Sequence, residues 1–286
     1  MEMEMETETD DPKESAAPPT PRAEGRFHDE QPHRTRATAP LPFAESAEIS
    51  ALVRDSYPSP ASGQKRAARN PSQNQYALRP DTLDFLAALL QRTSPELIVE
   101  FGSGESTRLF AEWVAAHGAR LVSIEHDRRW VAEVARQLSP EQKAAVTMVH
   151  APLRPMWRGL RQFLTYRYLE RIAADVGRAA LFLLDGPHMS GREAVLYFVL
   201  SHCRPGAIIV LDDFRHYSVR EMLLGIPTVM ARCFAGVPIA ENSHGLYVLQ
   251  CLERPPQVAI PTLGARRVLQ SYWRSLRDFR QYGTGD

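Results

Sequence analysis

The chain has 286 residues, enough for one large or two small domains at roughly 100–200 residues each, with 44% hydrophobic and 24% charged residues as in ordinary water-soluble globular proteins. Its 34 basic residues cancel 34 acidic ones, which argues against nucleic-acid binding driven by net positive charge. The first fourteen residues carry seven acids and one lysine, leaving +6 on the rest, and such an acidic leader reads as solvated rather than as a binding surface.

Residues 1–40 are rich in Glu, Pro, Thr and Arg with almost no large aliphatics, a composition too polar to offset chain entropy, so disorder is expected there. The start alternates Met with Glu where an export signal needs a positive end and an apolar run. No stretch approaches ~18 consecutive apolar residues, so a cytoplasmic protein without membrane contact is expected. Ile49, Leu52 and Val53 mark a short helix within residues 43–57, and a second polar linker ends near Tyr76. The organisation read from this is a leader and linker over 1–75, a folded domain over 76–258 and a helical extension over 259–286.

From Asp81 the pattern is regular. A helix with Leu83, Phe85, Leu86, Leu89 and Leu90 on one face ends at Ser94-Pro95, and a buried strand Leu97–Phe101 closes on Gly102-Ser103-Gly104. A helix over Thr107–His117 leads to a second strand, Leu121–Ile124, ending in Glu125-His126-Asp127. Trp130, Val131, Val134 and Leu138 mark the next helix, stopped at Ser139-Pro140, and Val146–Val149 is the third strand. Arg154 to Val176 reads as one long helical stretch or two. The fourth strand, Ala180–Leu184, ends at Asp185-Gly186. After a helix over Glu193–Cys203, the fifth, Ala207–Leu211, runs into Asp212-Asp213. Ser218-x-x-Glu221 caps a further helix, and strands around Thr228–Phe234 and Gly245–Cys251, with no helix between them, form an antiparallel pair. This alternation predicts an α/β fold: a Rossmann-like, doubly wound, mostly parallel sheet with a C-terminal antiparallel strand pair, whose ligands lie beyond the strand C-termini.

Whole mechanisms are excluded by residue type. Only Lys13, Lys65 and Lys143 are lysines, so none serves a P-loop, a Tyr-x-x-x-Lys reductase or a Schiff base. Cys203, Cys233 and Cys251 form no C-x-x-C pair, so neither a zinc site nor a disulfide framework is expected. What remains lies at the strand ends. Gly102 and Gly104 allow backbone to approach a ligand, and the next helix N-terminus offers unpaired N–H groups. Glu125, at the end of the second strand, can accept the ribose hydroxyls of an adenosine. NAD and S-adenosylmethionine both fit that half-site. The closing antiparallel strands and Glu100 ahead of the glycines favour the methyl donor.

At these residues the sequence resembles the class I S-adenosylmethionine-dependent methyltransferases, with E-F-G-S-G as first motif and S-I-E-H-D as acidic second motif. L-L-D-G-P-H and P-G-A-I-I-V-L-D-D are similar to the catechol O-methyltransferase-like branch and its bacterial small-molecule relatives, the likeness covering roughly 97–251. The resemblance implies methyl transfer to a hydroxyl of a small-molecule acceptor. Gly102, Ser103, Gly104 and Ser106 would frame the methionine and ribose end, Glu125 the ribose and Ala151 the adenine edge, with Glu100 supporting or contacting the amino group through water, and Asp185 beside the donor. It also implies Mg²⁺ at Asp185, Asp212 and Asp213, the last departing from the branch's neutral Asn. Where relatives carry a lysine base, three residues after Asp185, this chain has His188. An acidic strand end can equally cap the next helix, and a loop histidine can be merely solvated.

Met156–Tyr168 holds Trp157, Phe163, Tyr166 and Tyr168 among arginines, either a clasp for an anionic or ring-bearing acceptor or, by the spacing of Met156, Leu160, Phe163 and Leu164, a helical core stripe. The segment from Leu263 reads as a covering or homodimer-forming helix. Two other classes stay open: a non-catalytic methyltransferase-like binding protein and an NAD-dependent oxidoreductase.

Overall fold

The computed structural model describes residues 40–57, 78–158, 160–187, 190–239, 242, 244–256, 269, 272–273, 275–277 and 279–280. His188, the leader up to residue 39 and most of the 259–286 extension lie outside the described residues.

Helix α1 (Ala47–Ser56) buries Ile49 and Val53, and α2 (Pro80–Thr93) starts on a proline and buries Phe85, Leu86, Leu89 and Leu90. Strand β1 (Leu97–Phe101), α3 (Glu105–His117), β2 (Arg120–Glu125), α4 (Arg128–Gln137), α5 (Pro140–Ala145) and β3 (Val146–His150) follow the expected alternation. Two starts are built by caps. The Asp127 carboxylate accepts from the N–H groups of Arg129 and Trp130, and Ser139 and Gln142 form a capping box.

Residues 153–176 depart from expectation. They form a hairpin of β4 (Leu153–Arg158) and β5 (Arg161–Tyr166), Arg158 opposite Arg161, followed by a short 3₁₀ turn and α6 (Ala173–Val176). The i, i+4, i+7, i+8 apolar spacing mimicked a helix because β5 is buried on both faces, from Gln162 to Tyr166, and so shows no alternation. The sequence signal for the hairpin was Gly159-Leu160, a two-residue Gly-X connection.

Strand β6 (Leu181–Leu184), α7 (Ser190–His202), β7 (Ile208–Leu211) and α8 (Tyr217–Leu224) restore the alternation. Residues 228–231, expected in a strand, are instead a helical turn, α9 (Thr228–Ala231), begun at Pro227; the strand is β8 (Phe234–Ile239), paired with β9 (Leu246–Cys251). Pro238 is tolerated there because β8 is an edge strand.

The sheet order is β3-β2-β1-β6-β7-β9-β8, parallel except that β9 runs against both neighbours. Alternate residues feed two cores. Val99, Phe101, Phe182, Leu184, Ile209 and Leu211 face α7, α8 and the hairpin, whereas Ile98, Leu181, Leu183, Ile208 and Val210 face α1, α2 and α3. Strand order reverses between β1 and β6, and a crevice at such a switch point is where a ligand fits. No helix among the described residues is long and apolar enough to cross a membrane, and the three cysteines are free and buried.

Candidate functional site

The turn after β1 is held from below by a buried carboxylate. Glu100 is 0% exposed and accepts hydrogen bonds from the hydroxyls of Ser106, Thr107 (2.6 Å) and Ser123 (2.7 Å). Because the Ser123 proton is used on Glu100, Ser103 must be the donor in its 2.7 Å contact with Ser123, and Gly104 N–H donates to Thr107 Oγ1 at 2.8 Å. Every residue of Gly102–Thr107 that carries a hydroxyl is thus tied to Glu100, directly or through one partner. Burial pushes the Glu100 carboxyl up to about 7, against the three hydroxyls, which favour its charged form, and with a smaller upward push from Asp185. Glu100 points into this support and Ser106 Oγ is spent on it, so both build the turn.

Gly102 lies in the left-handed region at φ 94°, and a Cβ there would stand 2.8 Å from Gly186 N. The β1 and β6 ends therefore meet backbone to backbone, with Asp185 and Gly186 N–H groups both donating to Phe101 O. Only glycine combines that φ with that approach.

At the end of β2 the Glu125 carboxylate is fixed by three main-chain N–H groups: His126 (2.6 Å) and Asp127 (2.8 Å) on Oε1, Ser103 (3.1 Å) on Oε2. Oε2 keeps an acceptor position beyond the bond from Ser103. His126 Nδ1 lies 2.6 Å from Oε1. Burial would lower the imidazole's pKa, but Glu125 and Asp127 together outweigh it and the net direction is up. Ala151 follows β3, its N–H donating to Glu125 O at 2.8 Å, which sets it beside the β2 end.

Sequence reasoning singled out Tyr166 only as one of several aromatics, and the structure separates them. Trp157 and Tyr168 are exposed, whereas Phe163 and Tyr166 are buried. Tyr166 closes β5 over the strand ends, packed between Phe101 and His126, and its buried hydroxyl has no hydrogen-bond partner among the described residues. A Cβ on Gly186 would come within 2.8 Å of that hydroxyl. Burial, then the charge of Glu125, pushes the phenol well above its ordinary range, so it stays a neutral donor.

Asp185, Asp212 and Asp213 do come together, but around a guanidinium. Arg192, in the first turn of α7 and 3% exposed, donates through Nη1 to Asp213 Oδ2 (3.0 Å) and Asp212 O (3.1 Å), and through Nη2 to Asp185 O and Asp185 Oδ1 (3.3 Å). Asp213 turns toward it through a left-handed φ of 58°. Burial raises Asp185 to about 6, an effect Arg192 opposes and Asp213 adds to. Burial and the Asp185 and Asp213 charges push Asp212 well above the carboxylate range. For Asp213 burial is overcome by Arg192, with smaller help from His244 and His216, and the direction is down.

Among the described residues, the donor set compact enough for a metal is Asp212, Asp213 and His244, without Asp185. His244 Nε2 accepts from Arg79 Nε at 3.0 Å, which places the imidazole proton on Nδ1, 3.3 Å from Asp213 Oδ1. Both Asp213 oxygens and both His244 nitrogens are engaged. A divalent ion ~4 Å from the guanidinium would be repelled by about 8 kcal/mol at an effective dielectric of ~20. The residues present do not fit Mg²⁺ at the three aspartates. Arg192 and His244 were missed in the sequence; the available signal was one arginine among the apolar residues of α7.

Residues 99–214 match a family model described as a methyltransferase domain. No curated protein matches the chain. Solved structures similar in chain path include the methyltransferase PaMTH1 of Podospora anserina bound to SAH (12% identity, 62% of this chain and 81% of that one, TM-score 0.42). Others are an RNA methyltransferase of Salinibacter ruber with S-adenosyl-L-homocysteine (17%, 64% and 97%, 0.40) and a putative caffeoyl-CoA O-methyltransferase of Staphylococcus aureus (11%, 61% and 84%, 0.41). The acceptors in these names belong to those proteins.

Proposed function

We infer that this chain, whose residues 99–214 match the methyltransferase-domain family model, transfers a methyl group from S-adenosylmethionine to a hydroxyl of a small molecule. The observation that carries the donor half is the turn after β1: a left-handed Gly102 bare against the Gly186 backbone, faced by the fixed carboxylate of Glu125. When bound, S-adenosylmethionine supplies an electrophilic methyl group on a positively charged sulfur. Gly102, Ser103 and Gly104 offer close backbone, and the first turn of α3 offers N–H groups without intrahelical partners for the donor's carboxylate. The remaining acceptor position of Glu125 suits a ribose hydroxyl, with Ala151 beside it for the adenine edge and Asp185 across the crevice.

For the acceptor, the side chain we assign to proton removal is His188, three residues beyond Asp185, since an imidazole can take a proton from a hydroxyl at neutral pH. The near-neutral charge balance supports a small acceptor over RNA, and the exposed aromatics Trp157 and Tyr168 offer ring faces to a ring-bearing one.

Calorimetric titration of the full chain with S-adenosylmethionine, S-adenosylhomocysteine and NAD tests the donor. The first two should bind, NAD should not, and Glu125→Gln should weaken binding by about 1.5–3 kcal/mol. Binding of NAD alone would replace this reading with an oxidoreductase. Binding of none would favour the non-catalytic reading, which the three N–H bonds to Glu125 support, because they complete the turn without a ligand. Release of S-adenosylhomocysteine across a panel of phenols, alcohols and an RNA transcript tests the acceptor; methyl label on the RNA alone would overturn the small-molecule assignment.

A further inference from the structure

A buried arginine is rare unless it is paired, and Arg192 is paired on both sides at the strand ends where the resemblance implies a divalent ion. We propose that Arg192 is the built-in cation of this cluster: its guanidinium holds the place of a metal, binding Asp185 of the β6 end and Asp213 of the β7 end in one fixed fork.

Three features support this. The fork reaches side chains and main chain alike, meeting Asp185 at Oδ1 and O, Asp213 at Oδ2 and Asp212 at O, so it fixes the ends of both strands as an ion shared between them would. Two of the three neighbouring donors are engaged elsewhere, Asp213 Oδ1 beside His244 Nδ1 and His244 Nε2 on Arg79, while the buried Asp212 Oδ1 has no hydrogen-bond partner among the described residues. Its placement is also built into the chain. Gly191 lets the start of α7 press against Pro187, since a Cβ there would stand 2.3 Å from Pro187 Cγ, and the next residue is delivered into the cluster. The departure from the branch's Asp-Asn pair then has a reason, since an anionic Asp213 is the partner a guanidinium needs. Arg192 is thus a positioning residue. On the methyl-transfer reading, on which only this consequence rests, the acceptor's proton is removed by a side chain and not made acidic by an ion.

The test is Mn²⁺ binding to the full, chelator-treated chain, followed by electron paramagnetic resonance; it reads cation binding and needs no methyl transfer, so its outcome is independent of the donor assignment. The wild-type protein should bind no stoichiometric Mn²⁺ up to ~1 mM, a generous level for a carboxylate site. Arg192→Gln, which frees the carboxylates, should bind Mn²⁺ at least ~10-fold more tightly than wild type, lose that gain when Asp213→Asn is added, and recover thermal stability on adding the ion. Arg192→Lys keeps the charge and should show no gain, a distinction that a merely structural role for the side chain would not produce. One-to-one binding to the wild type below ~1 mM, abolished by Asp213→Asn, would overturn the proposal, as would a folded Arg192→Gln that gains no affinity. Should Arg192→Gln fail to fold, the wild-type titration with its Asp213→Asn control decides.

Discussion

Replacing Glu100 by Gln keeps the shape of the side chain and its hydroxyl neighbours but removes its titration. In the folded chain burial raises this carboxyl from 4.5 to about 7, whereas in the unfolded chain it loses its proton at the lower value. Between these values the folded state holds one more proton than the unfolded state, so Glu100's contribution to stability is complete below the lower value and is lost as pH rises through the upper one. At ~1.4 kcal/mol per pH unit the difference comes to about 3 kcal/mol. Asp185, also raised by burial, acts in the same direction in both proteins, so that only its small charge coupling to Glu100 enters the comparison. Urea unfolding of wild type and Glu100→Gln from about pH 5 to about pH 8 should show the stability difference shifting by about 3 kcal/mol in favour of the variant as pH rises. Profiles that stay parallel within ~0.5 kcal/mol would show that the folded carboxyl titrates at its ordinary value and that the three hydroxyls offset its burial completely.

Gly102→Ala forces a side chain into a left-handed φ and onto Gly186 N, and should cost about 2–4 kcal/mol in denaturant unfolding; a loss under ~0.5 kcal/mol would mean the two strand ends can separate freely. Tyr166→Phe removes a buried hydroxyl without a described partner and should leave stability unchanged or raise it by about 1 kcal/mol, measured the same way; a clear loss would reveal a partner. Deleting residues 1–39 should leave the thermal midpoint unchanged, whereas extending the deletion through 57 removes Ile49 and Val53 from the core and should cost about 3–5 kcal/mol. Equal effects of the two deletions would mean that α1 adds nothing to the folded unit.

Most of the parallel sheet is legible in the order of residues alone. β1, β2, β6 and β7 are short apolar runs bounded by Gly, Pro or acidic residues, and that pattern is local, so Gly102, Glu125, Asp185 and Asp212 could be assigned to strand ends before their neighbours were known. Residues 153–166 are not legible in this way, because β5 is buried on both faces and its mixed polar and apolar residues, Gln162 to Tyr166, do not alternate as a half-buried strand would. What each strand-end residue touches follows from packing between elements distant in the chain. Glu100 reads as a site carboxylate from its place before the glycines, yet the strand's alternation turns it toward Ser123 and the α3 hydroxyls. Asp185 and Asp213 read as metal ligands from their motifs, yet α7 brings Arg192 between them and the segment before β9 brings His244 alongside. A motif records which side chains leave the ends of the strands, but the charge they meet comes from elements that are close only after the chain has folded. Electrostatic interaction depends on that distance through space, not on separation along the sequence.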